Sequence, residues 1–154
     1  VLNMTGTTPA AWNDPVKGAE LAKAQKSQGA DVIYAAAGGT GIGVLQAAAD
    51  EKILSIGVDS NQNYLHPGQV LTSMVKRVDN SVYEAFKAGP DLAPGVKVMD
   101  LKSEGVGYAL DDNNKALITD EMKAKVDAAA ADIKSGKLVV HDYMTDNTCP
   151  AAQF

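Results

Sequence analysis

Apolar positions in this chain come in short unbroken blocks that alternate with stretches of helical spacing, and glycines mark the joints. Residues 31–37 (DVIYAAA) open with Val32, Ile33 and Tyr34 and show no alternation, which predicts a parallel strand covered on both faces. The run Gly38-Gly39-Thr40-Gly41-Ile42-Gly43 then predicts a tight turn, because glycine admits positive φ and leaves room for close backbone approach. A helix is expected to start inside that run and continue through Val44, Leu45 and Ala47. Residues 53–58 (ILSIGV) form the next apolar block, with Asp59 at its carboxyl end. Open α/β sheets bind ligands at that edge, so the glycine turn and Asp59 are expected on one rim.

The remaining blocks extend the same alternation. Val1-Leu2-Asn3-Met4 reads as a strand already under way, with no initiator Met, basic region or apolar signal stretch. A processed chain or a piece of a longer one is therefore expected. Asn13 or Asp14 suits an N-cap and Pro15 the first helical position, with Val16, Ala19, Leu21, Ala22 and Ala24 as the apolar stripe and Gly29 as the stop. After a polar loop over residues 60–68, residues 70–75 (VLTSMV) predict a strand followed by Lys76. Asp79 or Asn80 is expected to cap a helix through Val82, Tyr83 and Phe86, stopped by Gly89-Pro90. Residues 96–101 alternate as an edge strand would, and residues 106–110 form a short apolar strand. Thr119, followed by Asp120 and Glu121, predicts the start of a long helix carrying Met122, Val126, Ala129, Ala130 and Ile133 and ending at Gly136. Residues 138–140 complete the pattern as a last short strand. Strands alternating with helices predict an α/β fold, a mostly parallel sheet with helices on both faces.

Composition narrows the partners. The 154 residues suit one domain of ordinary size. The net charge of −5 argues against nucleic acid, whose phosphates need clustered Lys and Arg. No apolar run approaches the roughly 18 residues of a membrane span. Cys149 stands alone, so the chain can form neither an intramolecular disulfide nor a cysteine metal cluster.

Catalytic patterns fail on inspection. Gly39 followed by Asp59 resembles a dinucleotide-binding fingerprint, but Val44 stands where the third glycine belongs. The glycine run with Tyr83-x-x-x-Lys87 resembles the short-chain dehydrogenases, an NAD(P)-dependent enzyme alternative, yet Tyr83 follows Thr40 too closely for that fold. No P-loop lysine follows the glycines, and no nucleophile elbow surrounds Ser60. His66 and His141 lack zinc-ligand spacing. No catalytic residue, metal site or cofactor is expected.

A family signature remains. Trp12-Asn13-Asp14-Pro15-Val16-Lys17-Gly18, GADVIYAAAGGTGIGV at 29–44, IGVDSNQ at 56–62, VLTSMVKRVDNSVYEAF at 70–86 and Gly105-Val106-Gly107-Tyr108 occur in that order. Together they resemble the BMP (basic membrane protein) family, substrate-binding receptors of ABC importers that include the PnrA-type purine-nucleoside receptors. The resemblance implies one lobe of a class I periplasmic binding protein fold. It implies a lobe made of residues 1–74 and 106–140, helix 78–88 belonging to the other lobe, and a missing N-terminal lobe that shares the ligand. It also implies a purine nucleoside as ligand, ABC importer membrane subunits as partners, and a location in the periplasm or anchored to the outer face of the cytoplasmic membrane. Carried over by position, Asp59 is expected to accept from ribose hydroxyls, Lys76 to donate to the sugar, Gly38 and Gly39 to bring backbone to the ligand, and Trp12 to stack on the base. Asp59 and Lys76 follow the carboxyl ends of expected neighbouring strands, so both side chains are expected to share the same hydroxyls.

Overall fold

Local chemistry starts the first helix where the sequence places it. In the computed structural model, which describes residues 8–148, the Asp14 carboxylate accepts from the Lys17 backbone N–H, and α1 runs over Pro15–Ser27. Gly29 follows in the left-handed region at φ 97°, which releases the chain toward the sheet. β1 (Val32–Tyr34), α2 (Thr40–Asp50), β2 (Leu54–Asp59) and β3 (Val70–Lys76) come next, then α3 (Val78–Ala88), β4 (Val106–Tyr108), α4 (Asp120–Ser135) and α5 (Tyr143–Asp146). The sheet has the order β1-β2-β3-β4; the first three strands are parallel, and β4 pairs antiparallel to β3. The fold class is the expected mostly parallel α/β sheet.

One face of that sheet carries the core. Ile33 and Ala35 meet Ala22 of α1 with Val44 and Ala47 of α2, and Ala19, Ala30 and Ile53 close the edges. The two helices approach closely because glycines sit at the crossing. A Cβ on Gly18 would lie 2.6 Å from the Thr40 carbonyl oxygen, and one on Gly43 would run into the Pro15 carbonyl. Thr40 clamps the same junction from within. Its buried hydroxyl accepts from the Asp14 N–H and donates to the Ala11 carbonyl, each at 2.8 Å.

The second face is covered less completely. By register, Tyr34, Ile56, Met74 and Tyr108 share it. Tyr108 donates to Asp127, which ties α4 to this side. Val32 and Tyr34 stay open to solvent while Ile33 between them is buried, so β1 alternates and is not covered on both faces as expected. β1 is also shorter than the apolar block: Ala35 still donates to the Ile56 carbonyl, and the chain turns immediately after it, with Ala37 N–H donating back to the Ala35 carbonyl.

Other expectations fail for a shared reason. Residues 96–101 and 138–140 do not form strands, and Val96 is 96% exposed. An alternating pattern becomes a strand only where a sheet edge receives its hydrogen bonds, and no edge of this sheet takes these segments. α3 begins at Val78 with Arg77 at the cap position, two residues ahead of Asp79 and three ahead of Asn80, the expected caps. It contains no buried residue, and Phe86 is 82% exposed. α4 is capped as expected, with Thr119 accepting from Met122 N–H and Gly136 left-handed at φ 80°, yet it too buries nothing. The expected strand at Val1–Met4 and the lone Cys149 lie outside the described residues.

The glycine crossing yields a stability prediction. Gly43→Ala forces α1 off α2, and overpacking of this kind costs about 1–3 kcal/mol. Urea unfolding is expected to show the midpoint falling accordingly; an unchanged midpoint would mean that the helices do not need this contact.

Candidate functional site

Parallel strands place their carboxyl ends on one rim, and four of the five expected site residues lie at or within a few residues of such an end. Gly38 and Gly39 follow β1, Asp59 closes β2, and Lys76 closes β3. The fifth, Trp12, reaches the rim from the short 3-10 turn Pro9–Trp12 that precedes α1. Thr40 fastens that turn to the glycine loop through its bond to Ala11. Gly38, at φ 54°, lies under Trp12: a Cβ there would stand 3.3 Å from the Trp12 carbonyl oxygen and 3.5 Å from its ring. A Cβ on Gly39 would stand 3.2 Å from both the Trp12 carbonyl oxygen and the Asn13 side-chain oxygen. The indole itself is 59% exposed, so an aromatic face stands over the glycine turn and remains open.

Asp59 and Lys76 meet. The carboxylate Oδ1 lies 2.8 Å from Nζ, with both side chains about half exposed. The side-chain hydrogen bond to Asp59, and then the charge of that carboxylate, raise the Lys76 pKa, so the ammonium stays charged throughout the physiological range. Tyr34, on the same face as Lys76, adds a smaller contribution of the same sign. An exposed pair of this kind contributes only roughly 0–1 kcal/mol to stability. Opening it to admit a ligand hydroxyl therefore costs little. A hydroxyl can donate to Asp59 and accept from Lys76, since the one is acceptor-only and the other donor-only.

Strict alternation would not bring these two together. Asp59 has the parity of Gly57, and Lys76 that of Met74, on opposite faces of adjacent strands. Asp59 escapes the pleat because it is left-handed, at φ 70°. The Ser60 N–H donates to the Val58 carbonyl at 2.9 Å, two residues back, so Asp59 is the centre of a γ-turn.

The loop behind the turn is held by polar contacts that the sequence reading passes over. Ser73 donates to Asn63 Oδ1 at 2.8 Å and accepts from the Gln62 N–H at 3.0 Å, with Ser73 and Asn63 both fully buried. Asn61 and Asn63 donate to Asp111 Oδ2 at 2.7 and 3.1 Å. Buried Asn114 donates to the carbonyls of Leu71 and Ala109, tying the turn after β4 to β3. The signal was present as the polar string SNQN at 60–63 and the DDNN at 111–114, but nothing in either stretch says that they meet.

The comparisons fit this architecture. The family profile described as Bmp, ABC transporter substrate-binding protein PnrA-like, matches residues 7–142. The chain belongs to that family. It is 33% identical over 150 residues to the ABC transporter nucleoside-binding protein BmpA of Lactococcus lactis, covering 84% of this chain and 41% of that one. It is 42% identical over 94 residues to Basic membrane protein D of Borreliella burgdorferi, covering 57% of this chain and 28% of that one. Among solved structures, the ABC transporter system solute-binding protein of Aeropyrum pernix superposes with a TM-score of 0.70 at 25% identity, over 87% of this chain and 47% of that one. The chain thus spans less than half the length of these relatives. The dehydrogenase alternative finds no support here, since Tyr83 and Lys87 lie on an exposed helix, with the ammonium 6.0 Å from the ring centre.

A pH dependence follows from the loop network. The Asn61 side chain, then the Asn113 backbone N–H, hold the Asp111 carboxyl below the usual aspartate range. A depressed folded pKa gives stability that is present above the unfolded value and lost as pH falls through the folded one. The thermal midpoint is expected to drop as pH falls below about 4, and less steeply in Asp111→Asn. Equal slopes would remove Asp111 from the account.

Proposed function

We propose that the chain forms part of a receptor that binds a purine nucleoside without chemical change, in a cleft between two lobes, for an ABC importer. The observation that carries this reading is the Asp59–Lys76 pair at 2.8 Å, on the same sheet rim as an open Trp12 ring over Gly38 and Gly39. A flat base suits the ring, while vicinal ribose hydroxyls suit a carboxylate beside an ammonium. The printed name of the Lactococcus relative, a nucleoside-binding protein, points the same way. In this reading residues 1–74 and 106–140 form one lobe, and α3 (helix 78–88) packs on a second lobe supplied by the rest of the receptor. The exposed Val78, Val82 and Phe86 support that assignment, since a helix face this apolar is ordinarily covered. Relatives named as lipoproteins in Pyrococcus support a place outside the cytoplasm, beside the membrane subunits of the importer.

A sensor reading has one observation in its favour. The chain is 33% identical over 81 residues to the Transcriptional activator protein med of Bacillus subtilis, covering 51% of this chain and 26% of that one, and that name favours signalling over transport.

Two measurements on the two-lobed receptor test the proposal. Calorimetry is expected to show adenosine or guanosine binding well ahead of free ribose; ribose binding as tightly as adenosine would sink it. A charge-assisted hydrogen bond contributes roughly 1.5–3 kcal/mol, so Asp59→Ala is expected to weaken nucleoside binding about ten- to hundredfold. Parental affinity in that variant would take Asp59 out of the site.

A further inference from the structure

Asp59 occupies a backbone conformation that non-glycine residues rarely adopt, and a γ-turn with positive φ is strained. Such strain persists only where neighbouring groups hold it. The neighbours here are specific. Gln62 Oε1 accepts from the Val58 N–H at 2.9 Å, immediately before the turn, while the Val58 carbonyl accepts from Ser60 immediately after it. Gln62 is itself fixed by its own N–H, which donates to buried Ser73. Space for the amide exists because position 57 has no side chain: a Cβ on Gly57 would lie 2.7 Å from Gln62 Oε1.

We propose that Gln62 is the positioning residue of the ligand site: its side-chain oxygen anchors Val58, keeps Asp59 left-handed, and so delivers the carboxylate to Lys76 across the pleat. This rests on the proposed nucleoside-binding function, but its geometric part does not depend on any ligand. Without the anchor, Asp59 relaxes toward extended backbone and its carboxylate returns to the face of Gly57, away from Lys76. Gln62 touches the ligand nowhere in this scheme; it acts through Asp59.

The test uses two routes to the same loss. Gln62→Met keeps length and removes the acceptor, whereas Gly57→Ala keeps the glutamine and pushes it aside. Gln62→Glu retains an acceptor for the Val58 N–H and serves as rescue. In the 154-residue chain, nuclear magnetic resonance is expected to show a strong intraresidue amide-to-Hα Overhauser effect at Asp59, the signature of positive φ. It is expected to weaken in Gln62→Met and Gly57→Ala and to persist in Gln62→Glu. In the two-lobed receptor the first two variants are expected to bind adenosine roughly tenfold more weakly, as one hydrogen bond would give, with Gln62→Glu closer to the parent. An unchanged Asp59 signature in both Gln62→Met and Gly57→Ala overturns the inference, even where thermal stability falls. So does parental adenosine affinity in variants that have lost the signature. A parent receptor that binds no nucleoside counts against the proposed function alone, and the Asp59 signature still decides the role of Gln62.

Discussion

The close crossing of α1 and α2 is the constraint on which the site rests. It is built from absences as much as contacts, since side chains at Gly18 or Gly43 would collide with backbone of the partner helix. Thr40 converts proximity into fixed geometry by bonding to chain on both sides of Asn13. That clamp holds the 3-10 turn with Trp12 against the glycine loop, and it sets where α2 starts relative to β1. A buried hydroxyl with donor and acceptor roles both filled has its desolvation penalty offset, so the junction is fixed at little net cost. The aromatic side of the rim is therefore positioned by helix packing, not by the loop itself.

The charged side is positioned by a different device. Asp59 and Lys76 are brought together by one residue leaving the strand pleat, beside the Gln62 amide of the following loop, which the Ser73 hydroxyl of β3 fixes in turn. These partners are mostly neutral, and the pair they support is half exposed. The arrangement trades little stability for a carboxylate and an ammonium left available to a ligand. A binding site that must open and close on solute has use for groups of this kind, which a buried ion pair could not supply without a large desolvation cost.

What the sequence made legible was the chemistry that acts within a few residues. The Asp14 cap, Pro15, the glycine turn, Thr119 and Gly136 all fall where they were expected, because each signal is local. The Asp59–Lys76 pairing was expected from strand ends and family resemblance, but its means was not, since alternation alone would have separated the two. Orientation of β4 and the Asn61–Asp111 and Asn114–Leu71 links were invisible because they join segments some thirty to fifty positions apart. The failed strands at 96–101 and 138–140 show the converse. Their alternating or apolar patterns were read as strands, but no edge of this sheet takes them, and α3 and α4 likewise keep apolar positions uncovered.

The central claim is that Asp59 holds the ribose hydroxyls of a purine nucleoside, and a thermodynamic cycle tests it most directly. Adenosine and 2′,3′-dideoxyadenosine would be titrated calorimetrically into the two-lobed receptor and into its Asp59→Ala variant. If the contact exists, losing the hydroxyls weakens binding strongly in the parent and scarcely in the variant, because the interaction is already gone. Equal losses in both proteins, with no coupling between carboxylate and hydroxyls, would contradict the account.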